Sequence, residues 1–86
     1  MEQKKRIAVI GCTGSIGTQA LEVIRENSTQ FEAEVLVANN NADLLIQQAI
    51  EFKPNAVVIA DETKYQKVKD ALFSEDIKVF TGAKAV

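Results

Sequence analysis

Gly11-Cys12-Thr13-Gly14-Ser15-Ile16-Gly17 follows directly on the apolar run Ile7-Ala8-Val9-Ile10, and its residue types and spacing are those of an anion site. Closely spaced glycines let a backbone reverse tightly between a strand and a helix. The first turn of that helix then offers unpaired N–H groups and the positive end of its dipole to a phosphate. In this reading Gly11 opens the turn, Gly14 lets a pyrophosphate approach the backbone, and Gly17 lets the helix pack closely on the strand. Thr13 and Ser15 add hydroxyl donors, Ser15 being equally suited to cap the helix. The spacing is G-x-x-G-x-x-G rather than the commoner G-x-G-x-x-G, so its strand–turn–helix context carries the assignment.

A second polar cluster, Asn39-Asn40-Asn41, ends the next apolar run, Val35-Leu36-Val37-Ala38. Dinucleotide sites that take NAD place an acid at the end of this strand to hold the ribose hydroxyls, and that acid would repel a 2′-phosphate. Three amides and no acid lean toward NADP. The same residues also suit a helix-capping loop, with Asn41 as the N-cap.

Other chemistry is scarce. The chain has no histidine and one cysteine, and its carboxylates are scattered, so no acid/base pair, nucleophile–base pair or metal cluster is legible and no catalytic residue is assigned. Cys12 reads as a small turn residue without a redox partner. Asp61, at the end of a third apolar run, does not read as a phospho-acceptor, because such a site needs an acidic pair where Gly11-Cys12-Thr13 stands; it reads as a helix-start residue. A net charge of -2 over 86 residues argues against a nucleic-acid footprint, with Lys4-Lys5-Arg6 as solvated flanking charge. No run approaches the ~20 apolar residues of a membrane span, and no signal peptide is apparent. A single cysteine allows no internal disulfide, which with the missing signal points to the cytoplasm.

The elements that must position these residues follow from periodicity. Ile16, Ala20, Val23 and Ile24 mark one face of a helix ending near Asn27; Leu45, Ile46, Ala49 and Phe52 mark a second, stopped by Lys53-Pro54; Tyr65, Val68 and Leu72 mark a third. The continuous apolar runs 7–10, 35–38 and 56–60 predict parallel strands covered on both faces, and 77–80 a shorter fourth. Three strand–helix units and a fourth strand predict one α/β domain over 1–86, a Rossmann-type doubly wound parallel sheet of order 3-2-1-4. Such a domain continues with a helix after its fourth strand, so the expectation is an N-terminal piece of a longer protein, truncated after that strand.

The combination of Ile10-Gly11-Cys12-Thr13-Gly14-Ser15-Ile16-Gly17-Thr18-Gln19-Ala20, Val35 to Asn41 and Glu51 to Glu62 resembles the N-terminal part of the 1-deoxy-D-xylulose 5-phosphate reductoisomerase family over essentially the whole chain. The resemblance implies an NADPH-dependent, divalent-metal-assisted (Mg or Mn) enzyme of non-mevalonate isoprenoid biosynthesis, with a phosphosugar substrate and a homodimeric full-length form. It also implies that metal ligands and substrate groups lie beyond Val86, that the 86 residues alone are inactive, and that Thr13, Gly14, Ser15 and Ile16 with Asn39, Asn40 and Asn41 contact the cofactor. Family members commonly carry serine at Cys12 and a glycine followed by a cation at Asn39-Asn40. Loss of that cation weakens 2′-phosphate recognition by ~1 to 3 kcal/mol where no other group substitutes. The rival readings are the cofactor domain of another NADP oxidoreductase, such as a semialdehyde dehydrogenase, and a non-catalytic nucleotide-sensing module.

Overall fold

The computed structural model describes residues 4–82. Four parallel strands, β1 (Lys5–Ile10), β2 (Phe31–Ala38), β3 (Ala56–Ile59) and β4 (Lys78–Thr81), form one sheet. Helices α1 (Ser15–Glu26), α2 (Ala42–Phe52) and α3 (Tyr65–Ala71) connect them in turn. The helices stop where the sequence provides reasons. Asn27 closes α1, and its side-chain amide donates to the Val23 carbonyl at 2.8 Å. Lys53 adopts a left-handed conformation, φ 49°, at the end of α2, and Pro54 follows it.

The strand order is β1-β2-β3-β4, which corrects the expected 3-2-1-4. The chain between Ile59 and Lys78 holds one short helix that packs on α2, so β4 is delivered to the open edge of β3 rather than carried back to β1. Gly82 N–H and the Thr81 hydroxyl both donate to the Ile59 carbonyl, and Lys78 N–H donates to Asn55, closing the ends of that pairing. Apolar periodicity is identical in the two orders. It specifies which residues face a partner, not which sheet edge a new strand joins.

The same correction changes the layering. Successive crossovers of one hand that step in one direction leave their helices on one face, and α2 accordingly touches α1 through the Arg25–Glu51 ion pair and α3 through direct packing. Val9, Leu36 and Val57 point into that layer and meet Leu21, Ile24, Leu45, Ala49, Val68 and Leu72. The other face carries the register row Ile10–Val37–Val58–Phe80, with Ile10 73% exposed. The expected two-sided cover is therefore absent over β1 among the described residues, although the runs are apolar throughout.

Leu45 is fully buried at the contact of α2 with the sheet. Its replacement by Ala is expected to destabilise the fold by about 2 to 5 kcal/mol, whereas Val23→Ala on the exposed side of α1 should change stability by no more than about 0.5 kcal/mol. Urea unfolding followed by circular dichroism measures both.

Candidate functional site

β1 and β2 are neighbours, so the glycine turn after Ile10 and the asparagine loop after Ala38 lie side by side at the carboxyl ends of the strands. The Val37 carbonyl accepts from both Gly11 N–H and Cys12 N–H, at 2.8 and 2.9 Å, and ties the start of the turn to β2. Gly14 N–H then closes it onto the Gly11 carbonyl at 3.0 Å. Gly11 has φ +71°, the left-handed region that glycine enters without strain. Gly17 sits in the first turn of α1, where a Cβ would fall 2.0 Å from the Gly11 oxygen and 2.6 Å from Cys12 Cα. Only glycine permits this helix to lie so close to the turn.

The N-cap of α1 is Gly14, which has no side chain to satisfy the first turn, so Ser15 is a helical residue rather than the cap. Among the described residues, the N–H groups of Thr13, Ser15, Ile16 and Gly17 have no hydrogen-bond partner. Two other helical starts, those next to the asparagine loop and after β3, are closed by side chains. Asn41 Oδ1 accepts from Leu44 N–H at 3.2 Å to cap α2, and Asp61 Oδ1 accepts from Thr63 N–H at 3.0 Å to cap the 3-10 turn that precedes α3. The helix behind the glycines is thus left open to an anion, and Ile16 beside it is 82% exposed.

Asn39 is anchored by its carbonyl, which accepts from Asp61 N–H at 2.9 Å, while Asn40 is exposed and its carbonyl accepts from Ala42 N–H. Ile10, Gly11, Val37, Ala38, Asn39 and Ala60 line an apolar cleft of ≈ 240 Å³ between the two loops. A larger groove of ≈ 450 Å³ runs between α1 and α2, but glycine-turn residues and asparagines do not line it. The acids that flank the asparagine loop are engaged. Lys67 holds Asp43 at 2.6 Å and lowers its pKa, and the Thr63 hydroxyl and N–H lower that of Asp61.

Cys12 is completely buried, and burial pushes its thiol up to about 11. At neutral pH it is a packed, protonated thiol. Sequence reading missed Gln48, whose Nε2 donates to the Cys12 carbonyl at 2.8 Å from inside α2. A signal was present: Gln48 is three residues after Leu45 and four before Phe52, a polar residue on an apolar helical face.

The family model of 1-deoxy-D-xylulose 5-phosphate reductoisomerase matches residues 7–86. The reductoisomerase of Bacteroides fragilis is 55% identical over 84 residues, which are 98% of this chain and 22% of that protein. A solved reductoisomerase from Zymomonas mobilis in complex with NADPH superposes with a TM-score of 0.92 at 34% identity, covering 99% of this chain and 22% of that one. A reductoisomerase solved with magnesium shares the fold at a TM-score of 0.87 and 24% identity, over 95% of this chain and 21% of that one. The chain spans about 22% of the length of the curated relatives it matches.

Gly17→Ala is expected to destabilise by about 1 to 3 kcal/mol or more, because backbone must move to admit the methyl group. Gly14→Ala, whose Cβ would meet only Gly11 oxygen at 3.5 Å, should stay close to the parent in the same thermal melts. The buried thiol should resist iodoacetamide at pH 8 in the native protein and react on denaturation. Because its folded pKa is raised, the stabilisation is complete below the unfolded value near 9 and is lost as pH rises toward about 11. Cys12→Ser should remove that part of the alkaline loss measured by urea titration.

Proposed function

The chain belongs to the 1-deoxy-D-xylulose 5-phosphate reductoisomerase family, and on that premise we propose that residues 1–86 are the N-terminal NADPH-seating domain of such an enzyme. The observation that carries this reading is the open first turn of α1. Four unpartnered N–H groups and a glycine N-cap stand beside an acid-free asparagine loop. The donors fit a pyrophosphate, and the closeness of Gly17 to the turn keeps them at the end of β1.

In this reading Gly11, Thr13, Gly14, Ser15, Ile16 and Gly17 hold the pyrophosphate, and Asn39, Asn40 and Asn41 lie around the adenosine ribose and its 2′-phosphate. Asn41 contributes chiefly through Nδ2 and backbone, since its Oδ1 caps α2. Asp43 and Asp61 repel the 2′-phosphate less than free carboxylates would, because Lys67 neutralises the first and Thr63 occupies an oxygen of the second. NADPH supplies a hydride when bound; the residues of this chain bind and orient it.

For the whole protein we infer the family's conversion of 1-deoxy-D-xylulose 5-phosphate to 2-C-methyl-D-erythritol 4-phosphate, in isoprenoid biosynthesis, by a cytoplasmic homodimer. None of the described helices is long and apolar enough to cross a membrane. Among the described residues no group of three or more His, Cys, Asp or Glu is placed to hold a metal. In this reading the ligands of the Mg or Mn of the reaction come from outside this stretch, and residues 1–86 alone are expected to be inactive.

Titration with NADPH and NADH under a thermal melt tests the cofactor reading. A ligand that binds only the folded state stabilises by about 2.7 kcal/mol at a hundredfold excess over Kd, and NADPH should give the larger shift. No shift with either nucleotide sinks the reading, and a larger shift with NADH overturns the 2′-phosphate preference. Gly14→Val should abolish the NADPH shift, because a branched side chain stands where the pyrophosphate approaches.

A further inference from the structure

Gln48 is 7% exposed, sits within the buried face of α2, and makes one hydrogen bond, from Nε2 to the Cys12 carbonyl 36 residues away. Its Oε1 is buried with no partner among the described residues. A buried acceptor left unpaired is costly, and an apolar side chain of the same size would avoid it. The position therefore carries a polar group at a cost to stability, and what that group holds is one carbonyl of the glycine turn.

The consequence lies in the geometry of a single peptide unit. Cys12 C=O and Thr13 N–H share one planar trans peptide, so they point in opposite directions. With the carbonyl directed at Gln48, the Thr13 N–H is directed away from α2, and it has no partner among the described residues. Gly17 blocks movement of the turn from the side of α1, while Gln48 sets the rotation of this peptide from the side of α2. Rotation of that peptide by half a turn would replace the donor with a carbonyl oxygen, which repels a phosphate.

We propose that Gln48 is a positioning residue for dinucleotide affinity, which orients the Cys12–Thr13 peptide so that Thr13 N–H is presented to the pyrophosphate. It does not touch the cofactor. This inference rests on the NADPH reading above, and its failure is separable from the failure of that reading. Unsubstituted protein that does not bind NADPH refutes the cofactor assignment, whereas binding that is indifferent to Gln48 refutes only the positioning role.

The test is made in the full-length enzyme that carries this chain. Gln48→Met keeps side-chain length, removes the donor and also removes the unpaired Oε1. The KM for NADPH and its Kd by fluorescence titration should rise about tenfold, equivalent to about 1.4 kcal/mol. The KM for the phosphosugar, kcat at saturating NADPH and the melting temperature of the unliganded protein should stay near the parent values. A general loss of packing would move Tm and all kinetic constants together, and that result overturns the proposal, as does an unchanged KM for NADPH. If Gln48→Met does not fold, Gln48→Glu decides. A protonated carboxyl can donate to the Cys12 carbonyl and an ionised one cannot. Affinity for NADP⁺, measured against the unsubstituted protein at each pH, should fall as pH rises; parent-like affinity at every pH overturns the proposal.

Discussion

Helix α1 rests on the end of β1 so closely that position 17 has no room for a methyl group. Much else in the molecule depends on this one approach. It sets the first turn of α1 against Gly11 and the fully buried Cys12, and leaves the open end of α1 beside the asparagine loop. It also explains why the turn needs support from two other elements. A backbone without side chains at 11, 14 and 17 has little to hold itself with, so the Val37 carbonyl anchors its start and the Gln48 amide its middle. A turn anchored from two sides in this way would spare a ligand the cost of ordering it.

The fold was largely legible where local rules decide, although α1 buries Gly17, Leu21 and Ile24 and leaves Ile16 and Val23, expected on its apolar face, exposed. Asn27, Lys53-Pro54 and the Val68–Leu72 face end or orient helices through capping, proline geometry and 3.6-residue spacing, and each lies where those rules put it. The extent of β2 was underestimated because Glu32 and Glu34 interrupt the apolar pattern. In the sheet, Glu34 occupies an irregularity opposite Ile7/Ala8 and its carboxylate reaches Arg6 at 3.5 Å. Strand order was not legible, because the docking of α3 on α2 selects the edge that β4 joins, and this contact has no counterpart in the pattern of any single strand. Residues 83–86, where a further element was expected, lie outside the described residues.

The candidate site shows the same division. The glycines and asparagines could be picked out because each type answers a local demand, a reversed turn or a capped helix. Asn41, a candidate for the binding loop, answers a structural demand, with Oδ1 committed to Leu44 N–H. Ser15 had two plausible roles in the sequence, and placement of the N-cap at Gly14 removes one of them. Gln48 was missed although it interrupts an apolar helical face, and its partner could not have been read at all, since only the packing of α2 against the turn brings positions 12 and 48 together.

The β1-β2-β3-β4 order also bears on how the chain reaches this structure. Every strand pairs with the strand next to it in sequence, so each loop that must close spans a single helix, and the sheet can grow by adding strand–helix units at one moving edge. An order of 3-2-1-4 would require β4 to find β1 across two completed units, a longer closure at greater entropic cost. The observed order lowers the mean sequence separation of contacts for a parallel sheet of this size, and low contact order goes with fast folding. The glycine turn lies in the first of these units, between β1 and α1, so its partners at Val37 and Gln48 arrive only with the second.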